Sequence, residues 1–237
     1  MPDVYSLTKQ LGAESHAYIS GDDLTASTQL DAWVSPEVPR IALPEVLSAS
    51  PPFTDILRDR HAVRSYNTQP IDQRALSTLL RAATLGDGHD WPPEKNAARL
   101  EYLVVAWRVE NTCPGIYLYE PNVHSLAMLT SAPDQETEGS GLVLQPEFAK
   151  ASAIVLVIGG LATALAQHGA RGHQILLLRA GAAAHRMWLA SIAAGLEGTV
   201  FAGFLPRATQ RLARVDGYYR AALFAYAMGV ASDRTCN

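Results

Sequence analysis

The heptapeptide Arg60-His61-Ala62-Val63-Arg64-Ser65-Tyr66, with Pro70-Ile71 close behind it, sets the frame for the rest of the chain. Before it, Pro51-Pro52 closes one segment, because a residue ahead of proline is driven out of helical geometry. Thr54 is then placed to cap a short helix through Asp55, Ile56 and Leu57. Between that helix and Pro70 the heptapeptide is expected to be extended, and a period of two aims positions 60, 62 and 64 at one side. Two guanidiniums converge there. Each is a planar fork of donors that stays charged at any working pH, which suits a phosphate. The same spacing also fits a solvated pair bridged to Asp55 or Asp59.

Downstream, Asp72 caps a helix with Leu76, Leu79, Leu80 and Ala83 on one face. Gly86 is read as its end, and Asp87 to Pro93 as a loop. Leu100 to Trp107 is rich in β-branched and aromatic residues and predicts a mostly buried strand. Gly115 to Tyr119 and Val123 to Leu129 flank Glu120-Pro121-Asn122 as a hairpin, and the polar stretch Thr130 to Gly141 is a loop. The uncharged run Ala151 to Ala166 falls short of the ~20 residues a membrane-spanning helix needs. With Gly159-Gly160 interrupting it, the run reads as a central strand over Ala151 to Ile158, then a short helix or loop. Gly172 to Ala194 is a long helix, apolar on nearly all sides and stopped by Gly195. Pro206 to Ala213 predicts a short amphipathic helix and Ala221 to Val230 a last strand. The order of elements gives an α+β domain over residues 51–237, without internal repeat or linker. Residues 1–50, acidic and closed by Pro36, Pro39 and Pro44, read as an N-terminal arm.

Composition narrows the function classes. Of 237 residues, 48% are hydrophobic and 18% charged, with 19 Lys+Arg against 23 Asp+Glu for a net charge of −4. That excludes disorder. The charged fraction lies below the ~25% usual for soluble domains, so a homo-oligomer is expected to cover apolar surface. Without a basic block, nucleic acid is not an expected partner. Cys113 and Cys236 build neither a disulfide framework nor a metal site. The seven histidines show no ligand spacing, so no metal is assigned. No GxSxG, GxGxxG or Walker loop occurs. The N-terminus lacks a signal-peptide pattern, which leaves a cytoplasmic address as the expectation.

Arg60 to Tyr66, followed by a Pro-Ile and an amphipathic helix, resembles the RRSVRxF opening of the FMN-dependent nitroreductase-like superfamily. Gly115-Ile116-Tyr117-Leu118-Tyr119 resembles the PGxYxYxP stretch of its SagB/McbC branch, whose members oxidise azolines to azoles in peptide natural products. His168-Gly169-Ala170-Arg171-Gly172-His173-Gln174 with Arg179-Ala180-Gly181 resembles that branch's YGxRGYRYxxLEAGH segment. Gly195 to Phe204 resembles its GLGxxxxGGF, and Tyr5-Ser6-Leu7-Thr8-Lys9 its N-terminal H-x-x-T-K signal. The likeness runs in order along nearly the whole chain.

The resemblance implies a nitroreductase-like fold, a central, mostly antiparallel sheet flanked by helices, in a homodimer with a flavin at each subunit interface. Arg60, Ala62 and Arg64 would line the FMN phosphate and ribityl region. Asn96 would match the family's PSxxN flavin contact, the backbone at Ala202 and Gly203 would face flavin N5, and Arg234 is a further phosphate candidate. Several positions depart from the pattern. Ala62 replaces a serine, Pro93 to Arg99 replaces a Ser-x-Gly-x-Leu-Tyr-Pro stretch, and the Lys-Tyr pair used for proton removal maps onto Gln167-His168. Later tyrosines become His173 and Ile175. Since a histidine can take a proton near neutral pH, His168 is the expected catalytic base, with His173 in reserve.

The expected activity is an FMN-dependent oxidation of a peptide, carrier-bound or small-molecule substrate in natural-product biosynthesis. A flavin-free binding or scaffold subunit and an NAD(P)H-dependent nitro or quinone reductase are the rival expectations.

Overall fold

The computed structural model describes residues 33–47, 51–135 and 141–232. Seven strands form one sheet: β1 (Arg40–Ala42), β2 (Leu100–Ala106), β3 (Gly115–Glu120), β4 (Ser125–Ser131), β5 (Ala153–Gly159), β6 (Glu197–Phe201) and β7 (Ala221–Gly229). Their order is β1-β4-β3-β2-β5-β7-β6, and every neighbouring pair is antiparallel. The helices are α1 (Phe53–Asp59), α2 (Gln73–Asp90), α3 (Leu161–His168), α4 (Arg171–Ala193) and α5 (Pro206–Ala213).

Both faces of the sheet are covered, which is why its middle strands carry so little polarity. Every residue of β5 is buried. In β2 the pleat sends Tyr102, Val104 and Ala106 to one face, where Leu76, Leu80 and Ala83 of α2 and Ala180, Ala184 and Met187 of α4 meet them. Leu103 and Val105 go to the other, with Ile154, Phe148 and Phe201. The uncharged run expected as strand and short helix is β5 and α3, and no described helix is long and apolar enough to cross a membrane.

Helix α2 does not stop at Gly86 but continues to Asp90. Position 87 extends the buried face of Leu76, Leu80 and Ala83, and a lone carboxylate there would break it. Arg179 of α4 removes that obstacle. Its Nε and Nη2 donate to Asp87 Oδ1 and Oδ2 at 3.1 and 2.9 Å, and its Nη1 donates to the Ala98 carbonyl at 2.7 Å. A buried charge is tolerated when paired and hydrogen-bonded. Gly86 instead makes room for the Arg186 side chain, since a Cβ there would lie 2.3 Å from Cδ, and Arg186 reaches on to Asp90.

One local expectation is corrected and one segment gains detail. Thr54 does not cap α1; the helix begins at Phe53 behind Pro52, whose carbonyl accepts from Asp55 N at 2.9 Å. The arm also ends in a strand, because β1 pairs with β4, and Arg40 grips Glu120 of β3 through Nε (2.8 Å) and Nη2 (3.1 Å). Trp33 is buried, its Nε1 donating to the Ala213 carbonyl at 2.7 Å and the Arg220 guanidinium lying 4.4 Å from its ring.

Candidate functional site

The heptapeptide is extended, as its pattern requires. Val63 N donates to the Gly198 carbonyl of β6 at 3.2 Å, and Asn67 N to the Val230 carbonyl at 2.9 Å. Tyr66 is buried, and its hydroxyl donates to the carbonyls of Val63 (2.8 Å) and Ala227 (3.3 Å). A side chain at Gly229 would put its Cβ 2.9 Å from the Tyr66 ring, so the bare backbone of β7 is what lets the tyrosine lie flat. Ser232 then closes the strand from outside, N to the Ser65 carbonyl at 3.1 Å and Oγ to Oγ at 2.6 Å. Residues 167 positions apart in sequence thus share one edge.

With Val63 and Tyr66 turned inward, Arg60, Ala62 and Arg64 are all exposed. The Arg60 guanidinium lies 4.7 Å from the Trp188 ring of α4, a cation–π contact that holds it in place. Trp188 is therefore a platform for the first arginine. The bridge to Asp55 does not form: that carboxylate pairs with Arg58 at 3.0 Å. A cavity of about 430 Å³ opens beside the strand, lined by His61, Trp188, Ile192, Glu197 and Gly198. The Glu197 carboxylate is 3.8 Å from His61 Nε2, so one wall of the hollow carries negative charge as well.

The loop that holds Asn96 meets the end of α3, which His168 occupies, toward the opposite end of the sheet, where Leu100 pairs with Gly159. Gln167 joins them. Its Oε1 accepts from Ala97 N at 3.0 Å and its Nε2 donates to the Lys95 carbonyl at 2.8 Å, clamping the Asn96 loop to the end of α3. Asn96 Nδ2 donates to the Pro92 carbonyl at 3.1 Å. His168 is half-buried at the last position of α3, and burial, then the charges of Arg171 and Arg179, hold its pKa below the usual imidazole value. That environment disfavours the charged ring. Helix α4 turns back at once, and Gly172 permits this, because a Cβ there would sit 2.0 Å from the Ala164 carbonyl oxygen. His173 is exposed on the first turn of α4.

Ala202 and Gly203 lie where the chain leaves β6, the first exposed and the second half-buried. Gly203 O accepts from Leu144 N at 2.7 Å, and a Cβ on Gly203 would be 3.2 Å from that of Leu144. The structure thus leaves Arg60, Ala62 and Arg64 exposed along one extended segment and brings the Asn96 loop against the helix end that carries His168. Arg234, Cys236, the Tyr5 to Lys9 motif and residues 136–140 of the expected loop lie outside the described residues. Among the described residues no group of His, Cys, Asp or Glu is arranged to hold a metal ion.

The same architecture recurs in solved structures. A nitroreductase-type protein of Anabaena variabilis superposes with a TM-score of 0.71 at 19% identity over 83% of this chain, which spans 42% of that longer protein. A counterpart from Ralstonia eutropha gives 0.64 at 21% identity, covering 85% of this chain and 93% of its own. A chain of the Escherichia coli microcin synthetase McbBCD complex with truncated pro-MccB17 bound gives 0.60 at 16% identity, covering 98% and 95%. Comparison with curated proteins finds no match. At these identities the superpositions speak for the fold, and the sequence itself supplies the rest. The Nitroreductase family model matches residues 57–230, from α1 through the end of β7, so that the arginine strand, the Gln167 clamp and the Ala202-Gly203 turn all fall within it: the chain belongs to the nitroreductase family of oxidoreductases.

Proposed function

We propose that the chain is an FMN-dependent oxidoreductase of the SagB/McbC type, a homodimer that dehydrogenates a peptide or carrier-bound intermediate in natural-product biosynthesis. The observation that carries the reading is the arginine strand. Two exposed guanidiniums stand on one extended segment, the first seated on Trp188, and neither is spent on Asp55. Family members generally use flavin cofactors, and this donor set fits the phosphate end of one. Arg60 and Arg64 would hold the phosphate, with Ala62 leaving room beside it and Arg234 adding charge. Asn96, Ala202 and Gly203 would face the ring system. When bound, FMN supplies a two-electron acceptor for hydride.

The protein's own share of the chemistry is the proton. His168, neutral because burial and two neighbouring arginines disfavour its charged form, takes the proton that leaves as the substrate is oxidised. Gln167 fixes the end of α3 against the Asn96 loop and so orients the base. The McbBCD neighbour, a synthetase complex with a precursor bound, supports a peptide substrate. An apolar stripe on α4 supports the dimer. Ile175, Leu178, Ala182, Leu189 and Ile192 recur at helical spacing, none of them fully buried, and Leu178 is 66% exposed.

A thiazoline-bearing synthetic peptide tests the activity. FMN-loaded protein is expected to convert it with loss of two hydrogens, and His168→Ala is expected to lose most of that turnover. Full turnover in His168→Ala removes the assigned base. NAD(P)H consumption with a nitroaromatic, and none of the peptide oxidised, would replace the reading with the reductase alternative.

A further inference from the structure

On the sheet face away from α2 and α4 lies a second hollow of about 490 Å³, lined by Tyr66, Asn67, Thr68, Arg108, Gln135 and Lys150. Arg108 lies two residues past the end of β2 and is half-buried. Its Nη2 donates to the Lys150 carbonyl at 2.6 Å and the Asn67 carbonyl at 3.4 Å, and its Nη1 reaches the Gln135 side-chain oxygen. Its Nε is buried with no acceptor among the described residues. Gln135 is itself committed, its Nε2 donating to the carbonyls of Ala149 (2.6 Å) and Ala151 (2.8 Å), so its oxygen is fixed toward the guanidinium. The partners holding Arg108 are therefore neutral oxygens. Burial lowers its proton affinity. A partly buried guanidinium whose partners among the described residues are all dipoles is costly, and the usual remedy is an anion.

Lys150 brings a second cation to the same hollow, and its exposed side chain is free of the structural duty that its carbonyl performs. Thr68 adds a hydroxyl, Asn67 an amide, and the Tyr66 ring an apolar wall. Two cations with neutral donors around them match a dianion better than a single carboxylate, because charge-assisted hydrogen bonds to phosphate oxygens use both. The volume exceeds that of a phosphate ion and leaves room for a small organic remainder. We propose that this hollow, between Arg108 and Lys150, binds the phosphate group of a small molecule at a site separate from the flavin. The proposal does not depend on the flavin reading, since none of these residues is assigned to the cofactor.

Calorimetric titration of the full chain with inorganic phosphate at constant ionic strength, before and after loading with FMN, tests it. Saturable binding is expected in the loaded protein, about tenfold weaker in Lys150→Gln, the loss of one charge-assisted contact. Lys150→Gln leaves the Arg108 cage intact, and thermal unfolding should confirm an unchanged midpoint. Arg108→Gln is expected to abolish binding where that variant folds. Phenyl phosphate serves as a second probe: tighter binding than inorganic phosphate identifies an ester as the ligand, and weaker binding identifies the free ion. Equal affinity in wild type and Lys150→Gln, no saturable binding, or binding that vanishes once FMN is loaded would overturn the separate site.

Discussion

Asp87 and Arg179 illustrate how one residue pair can decide a helix end. Each alone would be a charge inside an apolar face, and together they join α2, α4 and the Ala98 carbonyl. Breaking a buried pair by removing one partner leaves the other uncompensated, so Asp87→Ala is expected to destabilise the fold by about 3–5 kcal/mol. Chemical denaturation of the variant checks this, and a loss within error of zero would mean that the pair is dispensable. His168 carries a different kind of prediction. Its pKa is depressed, so the basic form persists below the usual value near 6.5. Oxidation rate should therefore stay flat through neutral pH and fall only as pH drops below that value. A rate that already halves above pH ~7 would point to another base. Arg64→Gln should weaken FMN binding about tenfold, the loss of one charge-assisted bond worth ~1.5 kcal/mol. Fluorescence quenching of free flavin measures it directly.

At the scale of elements, α4 carries most of the organisation. One face enters the main core, Arg179 ties it to α2, Trp188 supports Arg60, and Leu178 with its neighbours remains uncovered. Leu178→Glu should leave the monomer's fold intact and shift the protein from dimer to monomer in light scattering. A wild-type protein that is already monomeric would contradict the role given to this stripe. Much of this layout was legible in the sequence, because long apolar runs and the 3.6-residue period leave strong signatures: the start and buried face of α2, and α4, α5, β2, β5, β7 and the β3–β4 hairpin, lie close to where their patterns place them. What was not legible depended on contacts made across the chain. The end of α2 needed Arg179, 92 positions away from Asp87. Strand β1 has three residues and no alternation to read, and it exists because β4 offers an edge and Glu120 a partner for Arg40. The Thr54 cap failed because Pro52 already presents its carbonyl to the first turn. Among site residues, the sequence pattern revealed the extended segment that carries 60, 62 and 64, but the seat on Trp188 and the Gln167 clamp belong to the folded chain alone.

For the whole molecule, the account joins two ends of one sheet: an arginine strand stitched to the continuation of β7, and a histidine held beside the Asn96 loop. The claim at the centre is that the arginine strand holds a flavin phosphate. Cofactor release from the purified full chain tests it most directly, by denaturing the protein, identifying the chromophore and counting it per chain. The account predicts a yellow protein that releases FMN at about one per chain, with the colour largely lost in the double variant Arg60→Gln/Arg64→Gln. A colourless protein that stays colourless through incubation with FMN, or a double variant as yellow as the wild type, would contradict it.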